Sequence, residues 1–168
     1  MKILYGFTHD KYAYILTTQP ETLTSSRIVT RLGRICNGDR SFHSYMEIPL
    51  ICGEYVEAQT ANLAHSPVAN SVPDKSLFIS YTNSQKGSSI CNFSMAQIDA
   101  RFHNVTVFCN YDASNSQLLP SIYGYEKNCT KSEGFPYEQL ACGSTKDNRY
   151  LLGMSPFKGT HIFDILNS

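Results

Sequence analysis

Apolar and polar side chains alternate along the first part of the chain with the two-residue period of extended backbone. Residues 3–8 and 12–19 read as two strands joined by a turn at His9-Asp10-Lys11, with Ala13, Ile15 and Thr17 on one face and Tyr12, Tyr14 and Leu16 on the other. Both faces are partly apolar, as expected of a sheet covered on both sides. Residues 20–26 form a polar connection. The stretch from Thr30 to Cys52 organises the rest of the chain. It opens with a β-prone segment ending in Cys36, then turns at Asn37-Gly38-Asp39-Arg40, where Asn-Gly favours positive φ. A second strand comes next, in which His43, Tyr45, Glu47 and Pro49 alternate with Ser44, Met46, Ile48 and Leu50; its apolar face lies on the even-numbered residues. Residues 56–63 fit helical and extended spacing about equally well.

Two further strands are expected over residues 77–82 and 89–93, separated by a polar turn at 83–87. Ser94 then stands where a hydroxyl can accept from an unpaired N–H at a helix start, and Met95, Ile98 and Phe102 share one helix face. One short helix is therefore expected near 95–102, ending close to His103. Strand character returns from Asn104 through Val105, Val107 and Cys109. Residues 112–116 and 127–136 read as loops, and residues 150–154 and 161–166 as short apolar runs. The expected class is mainly β.

Composition supports a folded chain: 168 residues, 42% apolar and 17% charged, with eleven Tyr and nine Phe. Fourteen basic residues balance fourteen acidic ones without a block of like charge, which removes nucleic acid and anionic membrane surfaces as electrostatic partners. No run approaches the ~18 apolar residues of a membrane span, so direct membrane insertion by this segment is not expected.

Cysteines at 36, 52, 91, 109, 129 and 142 form an even set without the short paired spacings of a zinc ribbon or a thioredoxin-type motif. They point to an oxidising compartment. Three Asn-x-Ser/Thr sequons agree, at Asn92, Asn104 and Asn128; Asn104 is the best placed, Asn92 falls within an expected strand, and Asn128 adjoins Cys129. Against this, Ile3-Leu4-Tyr5-Gly6-Phe7 is too short for the core of a signal peptide. The chain reads either as a reduced cytosolic protein or as an internal piece of a longer exported one, and the second is the expectation.

Catalytic chemistry finds little support. His9, His43, His65, His103 and His161 are scattered, and neither a helical metal-ligand pair, a phosphate loop nor a nucleophile elbow is present. Asp39 with His43, or Asp10 with His9, could be drawn as acid–base pairs, but no activated nucleophile accompanies them and they read as solvated turn residues. The expectation is no catalytic residue, no metal and no cofactor.

Two motifs carry a family resemblance. The first is Thr30-Arg31-Leu32-x-Arg34-Ile35-Cys36 followed by His43-Ser44-Tyr45-Met46-Glu47-Ile48-Pro49-Leu50-x-Cys52; the second is Ser89-x-Cys91-x-Phe93-Ser94-Met95-x-x-Ile98-x-x-x-Phe102. Together they resemble the sema domain, the β-propeller ectodomain of semaphorins, plexins and receptor kinases of the hepatocyte-growth-factor-receptor type. The first motif is similar to the plexin and receptor-kinase branch, and the resemblance is strongest over residues 12–109. It implies that residues 1–168 are a partial sema domain, a partial β-propeller of roughly two to three four-stranded blades. It also implies the pairs Cys36–Cys142, Cys52–Cys91 and Cys109–Cys129, staples worth on the order of 3–5 kcal/mol each.

The implied function is extracellular protein binding within a longer plexin-like, semaphorin-receptor-type membrane protein. Its partner would be a semaphorin-like protein ligand or another sema domain, with signalling by the parent at the plasma membrane. A receptor-kinase ectodomain and a stand-alone truncated small protein are the alternatives. No ligand-contact residue is implied. Gly33 stands where the family has an apolar strand residue, so a weakened or bulged strand is expected there.

Overall fold

The alternation at the start of the chain yields four antiparallel strands: β1 (Lys2–His9), β2 (Tyr12–Pro20), β3 (Ile28–Cys36) and β4 (Met46–Ile51). They are seen in a computed structural model that describes residues 1–22, 24–65, 75–83, 87–111, 141–142, 151–152 and 157–165. Register sets what each face carries. Leu16, Leu32 and Ile48 lie abreast on one face, while Ile15, Gly33 and Glu47 lie abreast on the other. The pairing passes through Gly33 without a bulge, contrary to expectation. A Cβ at Gly33 would sit 2.6 Å from Tyr45 Oη, so the missing side chain makes room for the tyrosine ring across the sheet.

Residues 57–65, undecided from spacing alone, are a strand. β5 (Glu57–His65) pairs with β6 (Lys75–Asn83), and β6 with β7 (Gly87–Ser94), all antiparallel. The two sheets face one another across a core of Leu16, Leu32, Ile48 and Leu50 from the first and Leu77, Ile79, Tyr81 and Phe93 from the second, all buried.

The helix departs from expectation. α1 (Met95–Tyr111) begins directly after Ser94 but continues past His103, and the strand expected through Val105, Val107 and Cys109 is instead helical. Ile98, Phe102, Val105 and Thr106 recur at the spacing of one helix face. Thr106 is fully buried, and its hydroxyl donates to the Phe102 carbonyl (3.0 Å) and lies 3.6 Å from Met46 Sδ. Such packing outweighs the few tenths of a kcal/mol per residue by which β-branched side chains disfavour helix.

Late in the chain, short strands β8 (Leu151–Leu152) and β9 (Phe157–Lys158) run parallel to β4, and β10 (Thr160–Ile165) adds to β7. One residue, Gly159, separates β9 in the first sheet from β10 in the second. Its N–H donates to the Ile51 carbonyl (3.0 Å), and a Cβ there would lie 2.6 Å from the Phe93 ring and 2.9 Å from Cys91 Cβ. Only glycine lets the chain cross between sheets this close to Cys91. The chain is thus mainly β, in two sheets consistent with propeller blades.

Candidate protein-binding surface

Among the described residues, two disulfides tie distant parts of the chain together. Cys52, just past β4, is bonded to Cys91 on β7 and links the two sheets. Cys36, at the end of β3, is bonded to Cys142 across 106 residues. The Cys109 side chain and Cys129 lie outside the described residues, as does Asn128. Asn104 is exposed on α1, whereas Asn92 is on β7 with its side-chain oxygen buried.

Alternation on β3 sends two arginines to opposite faces, and each is buried. Arg34, on the core face, stacks its guanidinium over the rings of Tyr12 (4.0 Å) and Phe102 (4.4 Å) and pairs with Asp99 Oδ1 at 3.6 Å. Tyr14, its cross-strand neighbour on β2, donates its hydroxyl to the same Asp99 oxygen. Burial, and then that bond, push the Tyr14 phenol far above its ordinary range, so it stays a donor. Arg31, on the other face, donates to Glu47 Oε2 (3.1 Å) and to the Glu21 carbonyl (2.6 Å). Glu47 also accepts from Gln19 Nε2 (3.1 Å) and from Tyr45 Oη (2.7 Å).

Between β3 and β4 the chain does not enter a strand at His43, as its alternation suggests, but folds a loop around Asp39. Oδ1 accepts from Ser41 N–H (3.0 Å), and Oδ2 accepts from Ser44 N–H (2.7 Å) and the Ser44 hydroxyl (2.6 Å). The Ser44 oxygen in turn accepts from Cys36 N–H (3.0 Å). Burial raises the Asp39 carboxyl; the bonds from Ser44 and Ser41 and the neighbouring His43 charge outweigh it and hold the group below its ordinary value of 3.8. These three bonds tie the Asp39 carboxylate to its own loop and hold the loop's shape. At the tip Phe42 takes φ +58°, rare for a bulky residue, and its side chain is 58% exposed. Arg40 beside it is exposed as well.

An open pocket of about 390 Å³ lies between the β1–β2 turn and α1, lined by Lys11, Tyr12, Arg34, Asp99, His103 and Asn104 among others. His9 and Asp10, at that turn, bring donor atoms within 4.8 Å of an Asp99 oxygen. Arg34 beside Asp99 and Lys11 in the lining offset the two carboxylates, so the charge balance does not favour a bound cation. Asp10 with His9, read from sequence as solvated turn residues, has its oxygen 3.8 Å from His9 Nε2 and its side chain 75% exposed.

With this geometry in place, comparisons with known proteins define the class. No protein-family model matches the chain. It is 29% identical over 185 residues to Plexin-A2 of Mus musculus and 28% identical to Plexin-A2 of Homo sapiens, each match covering 95% of this chain and 10% of the relative. The chain thus spans about a tenth of the length of the curated relatives it matches. In structure, 96% of the chain superposes on the full extracellular region of Plexin A4 with a TM-score of 0.79 and 24% identity, covering 20% of that chain. Extracellular domains 1-2 of Drosophila Semaphorin 1a align over 99% of the chain and 38% of theirs, with a TM-score of 0.57 and 18% identity. The class is therefore a disulfide-stapled, sema-type β segment. Within that class the chain is most like a plexin.

Sequence reasoning missed Phe42, the two buried arginines and the acids that hold them. Arg31, Arg34 and Glu47 all sit inside the first motif, and Asp99 inside the second, so the signal was charged residues within otherwise apolar strand and helix patterns.

Proposed function

We propose that the chain is an extracellular protein-binding segment of a plexin-like, semaphorin-receptor-type membrane protein, acting by contact and without catalysis. The observation that carries this reading is the superposition of 96% of the chain on a plexin extracellular region. Residues 1–168 form one partial sema domain in it, the two sheets being blades of a larger ring at the extracellular face of the plasma membrane. Cys109 pairs with Cys129 as a third staple.

The partner is a semaphorin-like protein or a second sema domain. The Asp39 loop supplies a fitting contact: a large aromatic, held outward by a backbone that side-chain bonds have already fixed, loses little entropy on binding. Arg40 beside it suits an acidic rim on the partner.

The test is surface plasmon resonance of the secreted chain against semaphorin ectodomains and against itself. Saturable binding that weakens about tenfold or more in Phe42→Ser, with the melting temperature unchanged, is the expected result. Free thiols in the secreted protein and no binding to any sema domain would overturn the reading.

A further inference from the structure

The pocket beside α1 has an unusual neighbour in its own lining, because Asn104 is the acceptor of a glycosylation sequon, Asn104-Val105-Thr106. We propose that Asn104 carries an N-linked glycan, added before α1 closes, whose first N-acetylglucosamine seats in this pocket between Lys11, Asp99 and His103. The proposal rests on the export of the chain that the proposed function requires.

The timing follows from Thr106. A sequon is recognised through its hydroxyl residue as well as its asparagine. In the fold, Thr106 is fully buried and its hydroxyl is bonded to the Phe102 carbonyl. The sequon is therefore readable only while the helix is open. In the transfer, Asn104 Nδ2 bonds to the anomeric carbon of an oligosaccharide carried on a lipid pyrophosphate; the carbon–oxygen bond to the pyrophosphate breaks, that oxygen leaves with the bonding pair, and one amide proton goes to solvent.

The seat follows from the lining. Arg34 and Asp99 offset one another at 3.6 Å, and the lining surface is mostly apolar with a few polar groups set into it, which suits a sugar ring that offers C–H faces as well as hydroxyls. Both contacts of Tyr14 and Arg34 fall on Asp99 Oδ1. Oδ2 remains to accept from a sugar hydroxyl, and the Lys11 ammonium can donate to a sugar oxygen. The opening of about 390 Å³ is within the range of small-ligand sites, and a sugar on Asn104 is delivered to it by the bond itself.

The experiment uses the full chain secreted from a glycosylating host. Peptide mass spectrometry reads occupancy at Asn104, and peptide-N-glycosidase reads how fast the glycan is released from native and from denatured protein. High occupancy is expected, with native release at least tenfold slower than denatured release and accelerated several-fold in Lys11→Ala and in His103→Ala. A second arm offers the lipid-linked donor and its transferase to folded, unglycosylated chain and to reduced, unfolded chain; only the unfolded chain should be modified. An unoccupied Asn104 overturns the proposal, as does release from native protein at the denatured rate. Slow release that neither variant changes overturns the seat, and modification of the folded chain overturns the timing. Failure of the export reading is recognised separately, by free thiols in the same secreted sample.

Discussion

Arg31 and Arg34 stand three positions apart on one strand, both 2% exposed, yet the fold holds them in different ways. Arg31 is satisfied by the buried Glu47 of its own sheet and by the Glu21 carbonyl just past β2, in a compact set of directed bonds. Arg34 is held between its sheet and α1, by the ring of Tyr12 from β2 on one side and by Phe102 and Asp99 of α1 on the other, the aspartate side chain being 32% exposed. A buried ion pair is fragile to the loss of one member, because the other is left charged and dry. A cation between rings, with its counter-ion near water, has a softer failure. One strand thus carries a rigid charged lock on one face and a tolerant hinge between sheet and helix on the other.

The contrast between the two arginines yields an ordered set of expectations. Arg31→Met, which strands Glu47, should cost about 3–5 kcal/mol in urea unfolding. Adding Glu47→Leu to it should recover at least half of that loss; strict additivity of the two changes would break the account of the lock. Arg34→Met should cost about 2 kcal/mol, the worth of its desolvated ring contacts, since Asp99 can still reach water. A loss equal to that of Arg31→Met would erase the distinction between the two faces. Asp99→Asn, read by the same unfolding curves, should cost about 1 kcal/mol, because the amide oxygen still accepts from Tyr14.

The smallest effect lies outside both networks and serves as their control. The Asp39 carboxyl is held below 3.8 in the fold, so it adds stability above its ordinary range and loses that addition as the pH falls through the lowered folded value. Asp39→Asn should therefore lower stability at neutral pH by under about 1 kcal/mol, given solvent screening. Its difference from the parent should vanish in acid when unfolding is followed against pH.

What was legible in the sequence was whatever period and spacing encode. Met46, Ile48 and Leu50 fell on the face that is buried, and Met95, Ile98 and Phe102 marked the start of the helix. The end of that helix was hidden because Val105 and Thr106 favour strands locally, and only the packing of Thr106 against Met46 and Phe102 reverses the preference. The start of β4 was hidden for a related reason. The alternation through His43 and Tyr45 is genuine, but Asp39 captures Ser41 and Ser44 and turns the chain before it can pair. Gly33 looked like a weak point in a strand, and its purpose, room for the Tyr45 ring, depends on a residue from beyond the next turn. As for the surface, Phe42 is one aromatic among many in the sequence, and its backbone angle and its exposure, both products of the fold, set it apart.

The two sulfur bridges differ in how much chain each must await. Cys91 completes the first; Cys142 completes the second only after another 51 residues (142 minus 91), about 3–10 s of synthesis at ~5–20 residues per second. During that interval the native partner of the Cys36 thiol has not yet been made. The nascent chain is thereby exposed to wrong linkage at one known sulfur, and it is there that an oxidoreductase assisting its maturation would be needed.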